Sequence, residues 1–458
     1  MMSRKRLTFA VVVGLLACLG LAGTLAFAQG GGNYTAVQVQ NLGDDVANVV
    51  IAYFSPDGTA VASATRGYVI PVGSSIFIMQ SQNADLPDGF IGSAVLYSDQ
   101  PITSIVNHSD YAGSSYAHSN AAHQGFSTGD TVVYVPLLFK QFSRGWNTKF
   151  YVQNVSDTAA EVTVHFYEDD GSLEHTNTSA VADPIQPNAH REYVQETDAN
   201  ITAPWRGSAK IESTEPVVVV VEEYLGHDML LGYNAKSSAD LSTDLMMPNL
   251  WKGYSAGWYS SISVMNAVAD PLNNPATVEI SYSDGCSYTI PVTTSVQIHQ
   301  ISEPESCLPH GWIGSARISS TNTLVGLVNT TRIQSNYISS YAAMPVSQAS
   351  TLVELPLVWN NYSAGWYSSV AVQATSPTSV TITYKGGDPP LSSPIVSELW
   401  VDAMGLLLQS QAGLPNHWIG SATITADEPV VVIVNEQLVP ALTTRDVLLT
   451  YQPFHIQP

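Results

Sequence analysis

The chain has 458 residues, a length that exceeds one ordinary domain, and 45% of them are hydrophobic, which excludes a globally disordered protein. Charged residues make up only 12%, and the formal net charge of −22 argues against nucleic acid or an anionic membrane surface as a partner, because both are bound through basic residues. Low charge combined with abundant Val, Tyr, Thr, Ser and Gly is typical of a β-rich extracellular protein.

The N-terminal stretch predicts a secretory signal peptide over residues 1–28. Basic residues precede an apolar run over residues 7–25, and Ala26-Phe27-Ala28 provides a cleavage site of the A-x-A type. One alternative is a lipoprotein in which Cys18, which follows Leu15-Leu16-Ala17, carries the lipid, and another is an uncleaved membrane anchor. Beyond this region no apolar stretch is long enough to cross a bilayer. We therefore expect a secreted or surface-displayed protein.

A tripeptide repeat divides the rest of the chain. Gly-Ser-Ala occurs four times, at spacings of 115, 107 and 106 residues, and each copy closely follows an aromatic residue and precedes an apolar run that ends on a polar residue. The four glycines are Gly92, Gly207, Gly314 and Gly420, and the four polar ends are Asn107, Glu222, Asn329 and Asn435. The tyrosines that we interpret as closing each repeat are Tyr116, Tyr233, Tyr341 and Tyr451.

A second pattern marks where each repeat begins. A proline stands ten residues before a Trp in three of the repeats, at Pro136/Trp146, Pro248/Trp258 and Pro356/Trp366. The first repeat has no such segment, so its first strand is predicted to be missing. A period near 107 residues is too long for a propeller blade or a solenoid turn and fits one small domain. The predicted repeats are unit 1 (29–120), unit 2 (131–236), unit 3 (244–344) and unit 4 (352–458), and small polar stretches such as 117–130 and 235–240 are predicted linkers.

Short alternating strands separated by turn signals recur within the units. In unit 2, for example, "AAEVTVHFYEDDG" alternates and ends on the hairpin turn Asp170-Gly171. About seven strands per unit and no convincing amphipathic helix predict an all-β fold of four tandem antiparallel β-sandwich domains. This organisation resembles the tandem immunoglobulin-like sandwiches of bacterial secreted and cell-surface proteins, although the units lack the Cys…Trp…Cys pattern of antibody-type domains. The resemblance implies a stalk, an adhesin, a wall-associated layer, a filament subunit or an accessory module.

One stretch matches a catalytic motif. Gly253-Tyr254-Ser255-Ala256-Gly257 fits the G-x-S-x-G pattern of a hydrolase nucleophile elbow, which requires a strand–turn–helix context. Ser255 instead lies between two predicted strands, and the stretch returns at residues 361–365 with Asn361 in place of the first glycine. We therefore predict a structural turn, no catalytic residue and no enzyme.

Aromatic residues of the same loops offer two interpretations. Trp and Tyr rings can stack on sugars and so bind a polysaccharide or a cell wall, or each ring can close the end of its own sandwich. Both interpretations stay open from the sequence. The residues concerned are Trp251, Tyr254, Trp258, Trp359, Tyr362 and Trp366.

The cysteines and acidic residues predict a disulfide and no metal site. Cys286 and Cys307 remain after removal of the signal peptide and are expected to pair in an oxidising exterior. Two cysteines cannot build a Cys-rich zinc site. The acidic cluster at residues 168–170 is not repeated in units 1 and 3, which favours a solvated hairpin tip over an ion site. We expect no cofactor.

The sequence thus predicts a non-enzymatic structural or adhesive protein of the cell exterior, for example a subunit of an extracellular filament or envelope layer. The alternative is an array of carbohydrate-binding or wall-binding modules that uses the Trp/Tyr loops. The missing first strand of unit 1 predicts an open strand edge, which can template pairing with another copy of the chain. Alternatively, unit 1 closes with fewer strands.

Overall fold

The structure is a computed structural model that describes residues 22–26, 33–110, 119–178, 183–255, 257–268, 271, 273–292, 296–300, 307–332, 337–363, 365–408, 411–438 and 448–456. This part of the chain is all-β, with several antiparallel sheets and no α-helix, which confirms the predicted fold class. The division into four separate domains stays a prediction. Short 3-10 turns include Ala62–Ala64, Gln80–Gln82, Gln195–Thr197, Ser238–Asp240 and Val346–Gln348.

Two four-stranded sheets form unit 1. Its strands are β1 (Ala22–Ala26), β2 (Asn33–Asn41), β3 (Ala47–Phe54), β4 (Arg66–Ile70), β5 (Ser75–Met79), β6 (Gly92–Ser98), β7 (Ile102–Asp110) and β8 (Ser119–Gln124). They pair in the orders β1-β6-β3-β4 and β5-β2-β7-β8. The last strand, β8, lies in a stretch that the sequence predicts to be a linker. The linker prediction is wrong for this stretch, because small polar residues also fit a buried strand that packs against other units.

Three eight-stranded sheets follow, one in each later unit. Unit 2 contains β9 (Asp130–Lys140), β10 (Asn147–Asn154), β11 (Val162–Glu168), β12 (Leu173–Thr178), β13 (His190–Val194), β14 (Trp205–Leu225), β15 (Met229–Asn234) and β16 (Lys236–Ser237). Unit 3 contains β17 (Ser242–Tyr254), β18 (Trp258–Asn266), β19 (Ala276–Tyr282), β20 (Ser287–Val292), β21 (Val296–Gln300), β22 (Trp312–Arg332), β23 (Ile338–Ala342) and β24 (Met344–Pro345). Unit 4 contains β25 (Ser350–Tyr362), β26 (Trp366–Ala374), β27 (Thr378–Asp388), β28 (Ile395–Val401), β29 (Met404–Leu408), β30 (Trp418–Leu438), β31 (Leu448–Tyr451) and β32 (Phe454–Ile456).

The repeated Gly-Ser-Ala marks the place where an aromatic ring folds back over the chain. A Cβ atom added to any of these glycines would collide with the ring two residues earlier, so only glycine fits beneath it. The ring and glycine pairs are Phe90/Gly92, Trp205/Gly207, Trp312/Gly314 and Trp418/Gly420. Close packing therefore explains why the tripeptide recurs.

The repeated proline and the repeated tyrosine are linked by a hydrogen bond. In units 2 to 4 the tyrosine hydroxyl donates to the main-chain carbonyl of the residue that follows the proline. The pairs are Tyr233/Leu137, Tyr341/Asn249 and Tyr451/Leu357. In unit 1 the predicted counterpart, Tyr116, lies outside the described residues. The strand register places His123 opposite Val106, as it places Tyr233 opposite Val221, so His123 holds the tyrosine position.

Strand β1 occupies the first-strand position of unit 1. It pairs with β6 from Ala22↔Leu96 to Ala26↔Gly92, as β9 pairs with the corresponding part of β14 in unit 2. The segment that the sequence predicts to be missing is therefore supplied by residues that lie inside the predicted signal peptide. Cleavage after Ala28 would remove this strand and leave the edge of β6 unpaired.

Contacts between four strands, one from each predicted unit, form a closed ring. Strands β8, β15, β23 and β31 pack side by side, and β31 returns to β8. Side-chain amides at equivalent ends of these strands bind the main chain of the neighbouring unit. Asn234 Nδ2 donates to the carbonyl of Gln124 at 3.1 Å, the Gln124 amide donates to Gln452, and the Gln452 amide donates to Ala342. The closure joins the last unit to the first.

Candidate functional site

The apparent nucleophile elbow is a turn between β17 and β18. Ser255 has φ +50°, and its counterparts Ser143 and Ser363 have φ +54° and +53° in the matching turns of units 2 and 4. A serine held in the left-handed region three times at one position serves the turn geometry. The described residues around Ser255 are strand and turn, and they do not supply the helix that an elbow needs.

The six predicted loop aromatics pack mostly against one another. Trp251 and Trp258 are buried and meet edge to face with ring centroids 4.7 Å apart. Trp359, which is also buried, meets the half-buried Trp366 in the same geometry at 5.0 Å. Tyr254 is 36% exposed and Tyr362 is half-buried, and each ring stacks on the Trp of its own loop. The arrangement gives these rings a packing role at the loop ends.

Cys286 and Cys307 are joined by a disulfide, with Cα atoms 6.0 Å apart. The bridge fastens the segment before β22 to the β19–β20 hairpin. In the described part of the chain, no group of three or more His, Cys, Asp or Glu side chains could hold a metal ion. No helix among the described residues is long and apolar enough to span a membrane.

A belt of buried polar residues joins neighbouring units around the ring. Glu222 Oε1 accepts a hydrogen bond from His108 Nδ1 at 2.7 Å, and Glu222 Oε2 forms an ion pair with Lys149 Nζ at 3.1 Å. The next residue, Glu223, accepts from Asn329 Nδ2 at 3.0 Å. The residues that end the apolar runs therefore lie at the junctions between units, where Glu222 contacts His108 of unit 1 and Asn329 contacts Glu223 of unit 2. The sequence reveals that these positions are polar but does not reveal their partners, which lie about one repeat away.

The two neighbouring glutamates of this belt titrate in opposite directions. Burial opposes the charge on Glu222, but its electrostatic attraction to Lys149 and its contacts with Lys149 and His108 outweigh burial and hold the pKa of Glu222 well below its usual range. Burial raises the pKa of Glu223 to about 8, because its only hydrogen-bonding partner given by the structure is the neutral Asn329 amide. At neutral pH the first is a carboxylate and the second is mostly a neutral carboxyl group.

A cleft of about 440 Å³ opens where units 2 and 3 meet. Unit 2 contributes Phe142, Trp146 and Glu223, and unit 3 contributes Tyr259 and Asn329. The cleft thus combines half-buried aromatic rings with the buried carboxyl and amide groups of the polar belt. Phe142 and Trp146 belong to the same loop as the predicted Trp/Tyr residues of units 3 and 4. The sequence shows this correspondence, but it does not show which of these loops border a cavity.

The outward face of unit 1 is apolar where the other units are polar. Val50 on β3 lies opposite Tyr97 on β6, and they are 38% and 43% exposed, while Val69 on the adjacent β4 is 65% exposed. At the equivalent register the other units carry Thr163/Glu212, Glu279/Ser319 and Thr381/Thr425. Of the exposed large apolar side chains in the described residues, nine lie in unit 1 and five in the other three units. Unit 1 therefore presents the contact surface richest in apolar groups.

No protein family model matches the chain, and a comparison with curated proteins found no match. Three solved structures show low similarity. Thermotoga maritima 1070 is 14% identical, with 23% of this chain and 92% of that chain covered and a TM-score of 0.21. The BSP domain of a biofilm associated protein is 8% identical, covers 98% of this chain and 99% of that one, and has a TM-score of 0.14. The serine-rich repeat adhesion glycoprotein Srr1 from Streptococcus agalactiae is 8% identical, with 54% and 89% covered and a TM-score of 0.13.

Proposed function

We propose that the protein is a secreted or surface-displayed, non-enzymatic adhesive protein whose contact surface is the outward face of unit 1. The observation that supports this is the exposed Val50/Tyr97 pair with Val69 beside it, at a register where three other units carry polar pairs. An exposed apolar patch is costly in water unless a partner surface covers it. The predicted signal peptide would deliver this surface outside the cell.

The predicted binding of polysaccharide by the Trp/Tyr loops has less support as a general function of the repeats. Trp251, Trp258 and Trp359 are buried, so replacing them would unfold their loops before it removed a sugar contact. A filament or envelope layer remains compatible with the adhesive function, because the contact partner of unit 1 can be another copy of the chain.

Exchange of the apolar pair for the unit 4 residues tests the adhesive function. The variant Val50→Thr/Tyr97→Thr reproduces the Thr381/Thr425 pair, so β-propensity and register are preserved while the apolar contact is lost. We expect retention on an alkyl-coated sensor and on immobilised copies of the same protein to fall by about tenfold or more, since two apolar side chains no longer become buried. The measurement is surface plasmon resonance on the full chain.

The matched control is Val396→Thr/Trp400→Thr on β28 of unit 4. These two side chains are 52% and 64% exposed, so the control removes at least as much exposed apolar surface from a different part of the ring. Its retention should equal that of the unchanged protein. Equal losses in the two variants, or no loss in either, would show that adhesion does not depend on the unit 1 face.

The edge of β6 that β1 covers supports a second mode of contact, which is self-association by strand addition. Because β1 fills this edge in the full chain and lies in the predicted signal peptide, a protein that starts at Gln29 would have a vacant strand position there. Amide hydrogen exchange along Gly92–Ser98 of that protein tests this. Protection that rises with protein concentration is expected, whereas full protection in the monomer would contradict strand acceptance.

A further inference from the structure

The cleft between units 2 and 3 has an apolar floor. Met229 and Leu231 of β15 and Ile338 of β23 are buried and pack together, and Trp146 lies partly buried against them. Tyr259 of β18 lines the same cleft from the opposite unit and is also half-buried. A flat ligand entering the cleft would therefore meet aromatic rings from both units and an aliphatic surface beneath.

The deeper wall of the cleft is polar and has hydrogen-bonding capacity to spare. Glu223 and Asn329 bind one another through one atom each, but Glu223 Oε1 and Asn329 Oδ1 have no partner among the described residues. Glu223 is only 1% exposed, and a buried polar group without a partner is unfavourable. A ligand hydroxyl that reached these atoms would remove that cost.

The equivalent junction between units 3 and 4 provides an internal comparison. There Trp251, Trp258, Tyr337 and Leu448 form one buried apolar cluster, with Leu438 packed against it. At this junction the strand registers place Tyr337 at the position that Met229 holds in the cleft of units 2 and 3. They place Leu438 at the position that Arg332 holds in that cleft. Larger apolar side chains thus occupy the later junction, whereas smaller and polar ones line the earlier one.

The ionisable groups that line the cleft include Glu223 and two arginines, Arg144 and Arg332. Because burial raises the pKa of Glu223 to about 8, its carboxyl group is mostly protonated and can both donate and accept hydrogen bonds. Arg332 lies at the edge of the cleft, where its guanidinium stacks over the rings of Trp258 and Tyr337 at 5.9 and 5.3 Å. The cleft volume of about 440 Å³ falls in the lower part of the range for small-molecule sites.

We propose that this cleft binds a neutral saccharide of one or two rings, which stacks on Trp146 and Tyr259 and directs hydroxyl groups to Glu223 and Asn329. Aromatic faces suit the C–H surface of a sugar ring, and an uncharged carboxyl and amide pair suits its hydroxyls without imposing a charge. This site lies apart from the adhesive face of unit 1. The protein therefore binds a specific ligand in the cleft, in addition to the non-specific contacts of that face.

Calorimetric titration of the full chain with cellobiose, maltose and N,N′-diacetylchitobiose tests the proposal. We expect at least one of these disaccharides to bind with a Kd of about 10 mM or tighter, and glucuronic acid to bind no better than glucose. Trp146→Ala and Tyr259→Ala should each weaken binding by about tenfold or more. The matched control is Tyr367→Ala, because Tyr367 is the unit 4 counterpart of Tyr259 in unit 3. The affinity of this variant for the disaccharide should be unchanged.

The pH dependence of saccharide affinity tests whether Glu223 contacts the ligand, because a purely structural role of Glu223 would not produce it. Affinity should fall between pH 7 and pH 9 as the carboxyl group loses its proton, and Glu223→Gln should keep the affinity at pH 7 while abolishing this pH dependence. Absence of binding by all three disaccharides, an equal loss in Tyr367→Ala, or a pH-independent affinity in the unchanged protein would each overturn the proposal. The Val50→Thr/Tyr97→Thr variant should bind the saccharide normally, so this result stays distinct from the adhesion test.

Discussion

Glu222 and Glu223 are adjacent and almost fully buried, yet we expect opposite responses when each is replaced by glutamine. Glutamine keeps the shape of the side chain and removes the ionisable group. Glu222 is a carboxylate held by Lys149 and His108, whereas Glu223 faces the neutral Asn329 amide. The pair therefore compares, in one strand, a buried carboxylate that has charged partners with a buried carboxyl group that is mostly neutral.

The change at Glu223 should stabilise the protein at neutral pH. Its folded pKa of about 8 lies above the usual 4.5, so the unfolded chain releases the proton first, and stability is lost as the pH rises from 4.5 towards 8. At pH 7 this loss amounts to about 3 kcal/mol, from roughly 1.4 kcal/mol per pH unit. Glu223→Gln removes the titration and should raise the free energy of unfolding by up to that amount at pH 7, with little change at pH 5.

The change at Glu222 should destabilise the protein at the same pH. Its folded pKa lies below the usual 4.5, so its contribution is present above that value and is lost as the pH falls. Removing the carboxylate leaves Lys149 without its closest partner. We expect a cost of about 3 kcal/mol at pH 7, the lower end for a broken buried ion pair. The lower end applies because the Lys149 side chain keeps 26% exposure and Glu192 lies 3.9 Å away.

Urea unfolding followed by tryptophan fluorescence at pH 5 and pH 7 measures both effects. The expected pattern at pH 7 is a higher midpoint for Glu223→Gln and a lower midpoint for Glu222→Gln, and at pH 5 the difference between the two variants should shrink. If Glu223→Gln were as destabilising as Glu222→Gln at pH 7, the assignment of a neutral Glu223 would be wrong, and so would the account of how neighbouring units are joined.

Three further predictions concern stability. Tyr451→Phe should cost about 1–2 kcal/mol in urea unfolding, because a buried main-chain carbonyl on β25 loses its donor, and an unchanged midpoint would refute the role of this hydroxyl. Gly420→Ala should lower the free energy of unfolding by about 3 kcal/mol or prevent folding, because the added Cβ would collide with the Trp418 indole. The control Gly67→Ala should leave the thermal midpoint nearly unchanged, because its Cβ meets only a carbonyl at 4.0 Å. Cys286→Ser/Cys307→Ser should lower stability by about 3 kcal/mol, since the bridge spans a sequence separation of 21, and dithiothreitol should have no further effect on that variant.

The sequence alone determined the features that depend on neighbours along the chain. Alternation and turn residues predict the strands, and the recurrence of Gly-Ser-Ala predicts equivalent positions, because a ring packed on a glycine two residues away is a local event. The same reasoning rejects Ser255 as a nucleophile from its place between strands, where the structure shows a left-handed turn residue. It does not identify the residue that closes unit 1, because sequence spacing does not give the strand register, and the register places His123 at the tyrosine position.

Only the tertiary structure decided which residues of different units meet. Closure of the ring brings Gln124 to Gln452 and Glu223 to Asn329, and these contacts join residues 328 and 106 positions apart. The partners in these pairs belong to different units, so the pattern of one unit does not reveal them. The cleft, the neutral state of Glu223 and the apolar face of unit 1 follow from burial and from side-chain size at those junctions. These are properties of the folded surroundings, and the local chain pattern does not encode them.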